Sequence, residues 1–257
     1  MNIGQYVEKY RKIRKGNGDF VLLEGIHAFK HAFRFEAKFE EILIADENLI
    51  NSFKENVLRK DEKDFLLKNS IKVEKDFFEQ LLPYTVRSKV LAIAKKPVYK
   101  ISDINSDKPI IFLENPANPE NVGMVMRAVA AWKKNDLEVG ALVVSGIINP
   151  FSASVLRAAA GLCFALPIFQ LKEPNYSTLS EFTKNRIIIS MDAQGKNLND
   201  TSLAKNSFII FGTEREGVSP ELKKISNEIV GLEMRNNVSS LNLATSVSAF
   251  LYGAKFK

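Results

Sequence analysis

Residues 208–220 read Phe208-Ile-Ile-Phe211-Gly212-Thr213-Glu214-Arg215-Glu216-Gly217-Val218-Ser219-Pro220, and their reading decides the fold class of the second half of this chain. Four unbroken apolar residues run into a glycine loop and then toward a helix, the shape of a turn that cradles an anion or a cofactor. Buried parallel strands read as continuous apolar runs because helices cover both faces. The same kind of run recurs at 110–113, 141–144, 187–190 and 229–232, with amphipathic helices expected at 122–132 and 151–160 between them. Residues 108–257 are therefore expected to form an α/β domain with a mainly parallel sheet.

The turns that follow such strands are where open sheets hold ligands. The 212–217 loop has the glycine spacing of a phosphate-binding P-loop, but Val218 stands where that loop needs Lys, and Glu214 and Glu216 would repel a triphosphate. Its carboxylates suit a ligand with a cationic, amine or hydroxyl donor group; a tight turn with solvated Glu side chains accounts for the same residues. A second turn, 113–123, offers the amides of Asn118 and Asn121 and a glycine, Gly123, with Arg127 in the helix that opens there. A guanidinium in that place could reach a phosphate or a developing oxyanion, while helix capping by Asn121 with a surface Arg127 is the plainer alternative. In the third, 234–244, Ser239 or Ser240 has the form of an N-cap, and Asn242 falls within the first turn, where its amide competes with the backbone.

Outward from these turns, the first half alternates in kind. A basic helical lead-in (1–19) precedes an apolar burst at 20–23 and a helical stretch at 24–33. A strand at 41–45, a charged amphipathic stretch to 68, a strand at 71–73, a helix at 75–82 and a strand at 90–94 follow. A small α/β domain is expected over 1–95, joined by a polar linker at 96–107 that carries Pro97.

Composition narrows the chemistry. The 257 residues include one cysteine, Cys163, and two histidines, His27 and His31, so a Cys-rich zinc site and an internal disulfide framework are excluded. A cytoplasmic, reducing compartment is the expectation for such a chain, and no apolar run approaches the roughly 18 residues that span a bilayer, so no membrane partner is expected. No Gly-x-Gly-x-x-Gly follows a strand, which argues against a Rossmann nucleotide site. Lys and Arg number 36 against 30 Asp and Glu, a net charge of +6 that suits a polyanionic partner without establishing one.

The order and spacing of NPANPENVGMVMRA (115–128), IIFGTEREGVSPEL (209–222) and LEMRNNVSSLNLATSVSAFL (232–251) closely resemble the three motifs of the SpoU (TrmH) family of RNA ribose 2′-O-methyltransferases. The segment 20–28, around Glu24, Gly25 and His27, looks like the small ribosomal-protein-like RNA-binding domain that many members carry. The resemblance implies a deep trefoil knot in the C-terminal domain, S-adenosylmethionine bound within it without a metal, a homodimer, and RNA as substrate, ribosomal RNA first. It implies Gly212, Thr213, Leu232, Met234 and Leu241 as cofactor contacts and Asn121, Arg127, Glu214, Ser240 and Asn242 as the reaction centre.

Three departures bear on the cofactor loop. Glu233 stands where the family usually has Pro, Asn236 where a Gly follows, and Ala159 where a Ser is common. Asn236 can still adopt the left-handed backbone of the glycine it replaces, but it brings a side chain. The runs Lys9–Lys15 and Arg87, Lys89, Lys95, Lys96 are candidate phosphate contacts, or else solvated faces.

Overall fold

The structure, a computed structural model, describes residues 3–172 and 176–257. It divides into two compact units, one reaching to Pro97 and including Phe151–Phe164, the other made of Val98–Pro150 and Ala165–Lys257.

The first unit runs α1 (Ile3–Ile13), β1 (Phe20–Glu24), α2 (Ile26–Arg34), β2 (Phe39–Ile44), α3 (Glu47–Ser52), α4 (Lys60–Asn69), β3 (Ile71–Lys72), α5 (Lys75–Gln80) and β4 (Val90–Lys95). Its sheet has the order β1-β4-β2-β3, with β4 antiparallel to both β1 and β2, and β3 parallel to β2. Alternate residues of β1 and β4, Leu22, Leu91 and Ile93, pack with Tyr10, Leu43 and Phe78 as one core. The Tyr10 hydroxyl donates to Glu41 Oε1 at 2.8 Å, so the one polar tip in that core is satisfied.

Residues 151–164, expected in the C-terminal domain, group with this first unit instead. Arg157 Nη1 donates to the buried Glu24 carboxylate at 3.1 Å. Gly161, at φ 76°, lies so close to α2 that a Cβ would stand 2.5 Å from the Ala28 carbonyl oxygen. Apolar periodicity identifies a helix there but not the layer against which it packs. The helix itself is short, Ala153–Ala158.

The second unit contains β5 (Ile110–Leu113), α6 (Pro119–Ala131), β6 (Ala141–Ser145), β7 (Ile168–Leu171), α7 (Tyr176–Thr183), β8 (Ile187–Asn197), β9 (Ser207–Phe211), α8 (Pro220–Ile225), β10 (Glu228–Gly231) and α9 (Leu243–Gly253). The six strands form one sheet in the order β10-β8-β9-β5-β6-β7, and every neighbouring pair is parallel. Its centre is dry: β5, β6 and β9 are buried along their whole length, and Phe112 stacks on Phe208 with ring centroids 5.4 Å apart. Truncating either ring would cost about 3–5 kcal/mol. No helix of the described residues is long and apolar enough to cross a membrane.

Local signals explain the two helices that frame the site. Asn118 caps α6 by accepting the Glu120 N–H at 2.8 Å, and Pro119 occupies the first helical position, where its missing N–H does no harm. Val122, Val125, Met126 and Val129 then repeat at helical spacing and are buried. In α9 the same spacing buries Leu243, Val247, Phe250 and Leu251, and α9 packs against α6.

Candidate active site

The chain leaves β5 toward one edge of the sheet and returns through β8 on the other side, so the strand order reverses between β5 and β9. Open α/β sheets bind ligands outside the carboxyl ends of strands at such a point. The loops leaving β5 and β9 are tied together there. Glu114, buried at the end of β5, accepts the Ser219 N–H at 2.9 Å, and its own N–H donates to the Phe211 carbonyl at 2.8 Å.

Gly212 begins the second loop for a steric reason. A Cβ there would lie 1.9 Å from the Gly217 carbonyl carbon, because Thr213 and Gly217 exchange two backbone hydrogen bonds of 3.0 and 3.1 Å. That tight ring aims Glu214 at α6. Its Oε2 accepts the Ala117 N–H at 3.1 Å and its Oε1 accepts from Asn121 Nδ2 at 2.8 Å. Asn121 is only 4% exposed, and its remaining oxygen accepts from Asn242 Nδ2 at 3.0 Å. Asn242 Oδ1 in turn accepts the Ala244 N–H at 2.9 Å. One hydrogen-bonded chain, Glu214–Asn121–Asn242, thus joins three loops distant in sequence. Partial burial alone would raise the Glu214 carboxyl pKa, but donation from Asn121 and from backbone N–H groups of the 117–118 turn outweighs it and lowers the pKa, favouring the carboxylate.

Beside this chain opens a cleft of about 320 Å³ at the carboxyl ends of β9 and β10 and the middle of β8. Gly212, Thr213, Glu214, Leu232, Met234, Ser240 and Leu241 all line it. Asp192, Glu214 and Glu216 outnumber Arg215 on its wall, which is therefore acidic on balance. Lys223 ion-pairs with Asp192, and its donation, joined by that of the Gln194 N–H, holds Asp192 below the ordinary carboxylate range. A further hollow of about 450 Å³ shares Ala193, Leu232 and Met234 with the cleft.

Several expectations change on this geometry. Asn118, not Asn121, caps α6; Asn121 sits inside the helix and faces the core. Asn242, not Ser239 or Ser240, caps α9, because residues 235–240 stay in an exposed turn closed by the Val238 N–H on the Arg235 carbonyl at 3.1 Å. Asn237 at φ 71°, rather than Asn236, holds the left-handed position in that turn. Glu233 accepts from Asn197 Nδ2 at 3.0 Å. Arg127 does not join the chain of amides: six residues on from Asn121 it is about 240° round the helix, exposed, and outside the cleft lining. Among the described residues its side chain has no hydrogen-bond or ion-pair partner. Glu114 and Asp192, which the sequence offers only as acidic residues near strand ends, are the polar groups that sequence reasoning passed over.

Residues 108–252 match the SpoU rRNA Methylase family. The chain is 27% identical over 146 residues to an uncharacterized tRNA/rRNA methyltransferase of Synechocystis sp., a match covering 56% of this chain and 52% of that protein. It is 20% identical over 231 residues to the 23S rRNA (guanosine(2553)-2′-O)-methyltransferase RlmP of Bacillus subtilis, covering 90% of this chain and 86% of that protein. The chain thus spans about half of the Synechocystis relative, and 62% of an Archaeoglobus fulgidus one. The fold is also that of the SpoU methyltransferase AviRb from Streptomyces viridochromogenes, solved with its cofactor AdoMet, at a TM-score of 0.77 and 17% identity over 96% of both chains. With the family match taking in more than half of its length and all three loops of the site, this chain belongs to the SpoU rRNA Methylase family.

Proposed function

We propose that this protein transfers the methyl group of S-adenosylmethionine to a ribose 2′-hydroxyl of RNA, ribosomal RNA before transfer RNA. The observation that carries the reading is the Glu214–Asn121–Asn242 chain standing beside an acidic cleft with a glycine turn at its mouth. The cleft fits the cofactor on chemical grounds. A donor with a sulfonium and an ammonium group carries net positive charge, and carboxylates on the wall favour it. The ring closed by Gly212 and Gly217 lets backbone approach the ligand where a side chain would intrude.

S-adenosylmethionine supplies an already activated methyl group; the protein must orient the 2′-oxygen in line with it and accommodate the proton. Gly212, Thr213, Leu232, Met234 and Leu241 would hold the cofactor, and Ser240 and Asn242 would orient ribose and loop. Glu214, stabilised as the carboxylate by its donors, is a weak proton acceptor and acts by fixing Asn121. Arg127 would clamp an RNA phosphate and stabilise the charge developing on the 2′-oxygen. As the new O–C bond forms, the 2′-proton becomes strongly acidic, so a weak acceptor, that phosphate or Glu214, takes it and passes it to solvent.

A homodimer belongs to this reading. Glu120, Met124, Arg127 and Ala131 form one exposed stripe of α6, and Thr245, Ala249 and Tyr252 form another on α9, with Met124 43% and Tyr252 65% exposed. Pairing of these stripes would cover the apolar surface and carry Arg127 to the partner's cleft. The knotted path, the cytoplasmic location and an RNA-docking role for residues 1–95 complete the proposal. Gly231 supports the close threading, since a Cβ there would stand 2.7 Å from the Asp192 carbonyl oxygen.

The test is transfer from labelled S-adenosylmethionine to unmodified ribosomal and transfer RNA. Wild type should label ribosomal RNA, and Arg127→Ala should lose most transfer while keeping cofactor affinity. Near-normal methylation by that variant would remove Arg127 from the reaction. Cofactor binding without any transfer by wild type would point to an assembly factor.

A further inference from the structure

A different cavity, of about 620 Å³, opens on the first unit. Its base is the start of α2, one wall is Leu49, Phe53 and Val57, and Arg87 and Arg157 stand at its rim. The volume lies within the range of small-ligand clefts.

Glu24 is the one carboxylate in its lining, and it is already neutralised. Its side chain is 2% exposed and accepts from the Tyr84 hydroxyl at 2.7 Å and from Arg157 Nη1 at 3.1 Å. The charge left facing the opening is therefore positive. Arg157 is 46% exposed and lies over the Tyr84 ring at 4.5 Å, which holds its guanidinium plane in place. Arg87 is exposed and makes no ion pair or hydrogen bond among the described residues. The other basic candidates differ: Lys9 pairs with Glu41 and Lys89 with Glu79.

We infer that this groove holds one unstacked nucleotide of single-stranded RNA, with the base against Phe53, Leu49 and Val57 and the phosphate between Arg87 and the exposed face of Arg157. An apolar wall with an aromatic ring, beside the unpaired Arg87 and the outward face of Arg157, is the chemistry that recognises a splayed nucleotide. An acidic peptide fits less well, because the lining comes from the start of α2, the 49–57 segment, the 84–88 loop and the end of the Ala153–Ala158 helix, and offers no open strand edge for an extended backbone. The inference rests on the RNA-methyltransferase reading and adds where the RNA is held away from the reacting ribose.

Fluorescence anisotropy of the full chain with a labelled, unstructured 12-nucleotide RNA, and with the same strand in a duplex, tests it. Single strand should bind more tightly than duplex. Val57→Trp, which fills the groove, should weaken single-strand binding roughly tenfold, in keeping with the loss of one base contact. Arg87→Ala should reduce the slope of log affinity against log salt by about 0.7, the effect of one phosphate on a single strand. Both variants should bind S-adenosylmethionine as wild type does, and Arg87, being exposed, keeps the test valid if Val57→Trp fails to fold. An unchanged salt slope in Arg87→Ala, or duplex bound as tightly as single strand, overturns the groove. So does binding of a Glu-rich peptide with the same Arg87 dependence and no competition from RNA. Absence of methyl transfer, with RNA binding and its Arg87 dependence intact, would strike the activity alone and leave the groove standing.

Discussion

Asn121→Asp isolates the bond on which the site is built. The substituted carboxylate keeps an acceptor for Asn242 Nδ2 but loses the donor that Asn121 presents to Glu214 at 2.8 Å. Two carboxylates at that separation repel by about 6 kcal/mol at an effective dielectric of about 20. Glu214 is only partly buried, so solvent screens the pair, and uptake of one shared proton relieves most of the rest. Each unit by which the pair's pKa rises costs about 1.4 kcal/mol at neutral pH. The sign of the pH dependence distinguishes variant from wild type. In wild type the Glu214 pKa is lowered, so its contribution is present above the unfolded carboxyl value and disappears as pH falls through the folded value. In Asn121→Asp the pair's pKa is raised, so stability is retained in acid and lost as pH rises from about 4 to about 7. Urea unfolding at several pH values measures both slopes. A variant whose stability follows the wild-type pH profile would refute the Asn121–Glu214 contact as the organising bond of the site.

Asn242→Ala removes the cap of α9 and leaves the buried Asn121 oxygen without its donor; about 2 kcal/mol of stability should be lost, measured by thermal or urea unfolding. Asn242→Asp keeps the cap but turns a carboxylate oxygen toward the Asn121 oxygen, so it should recover at most about half of that loss. Gly212→Ala forces the backbone of the 212–217 ring apart and should abolish S-adenosylmethionine binding by calorimetry while the fold persists. Mixing Arg127→Ala with Gly212→Ala subunits should restore about one quarter of wild-type transfer if Arg127 serves the partner's cleft, since only one site of each mixed dimer regains both groups. No recovery on mixing would place Arg127 and its cleft in one chain.

How much of this was legible in the sequence follows from the range of each interaction. The strands at 110–113, 141–145 and 207–211 declare themselves because they are buried on both faces, so their sequence is apolar without interruption. β7 does not: its run continues the apolar stretch before Pro167, and only Ile168 of its four residues is buried. The helix starts show local choice without context. Ser239 and Ser240 have the right side chains for an N-cap, yet the turn around Asn237 delays α9 until Leu243, and the cap falls to Asn242. Charge is equally contextual. Lys9 and Lys89 look like phosphate contacts until Glu41, 32 residues on, and Glu79, ten residues back, fold against them.

The proposed reaction centre is the extreme case. Asn121 is 93 residues from Glu214 and 121 from Asn242, and nothing local to any of the three says that their side chains meet. Their meeting depends on strand order, because β9 inserts between β5 and β8 and thereby brings the 212–217 ring over the start of α6. Periodicity cannot reveal that insertion, since each strand carries the same apolar pattern whichever neighbour it takes. What local sequence does contain is the type of residue suited to the place. A buried helical Asn with one donor pair and one acceptor can bridge a carboxylate and an amide at once. Leu would fill the same space but leave Glu214 short of a donor and Asn242 short of an acceptor, both at the edge of the cleft. The identity of residue 121 is therefore set by two partners beyond the reach of any sequence window, and a substitution there tests the fold and the site together.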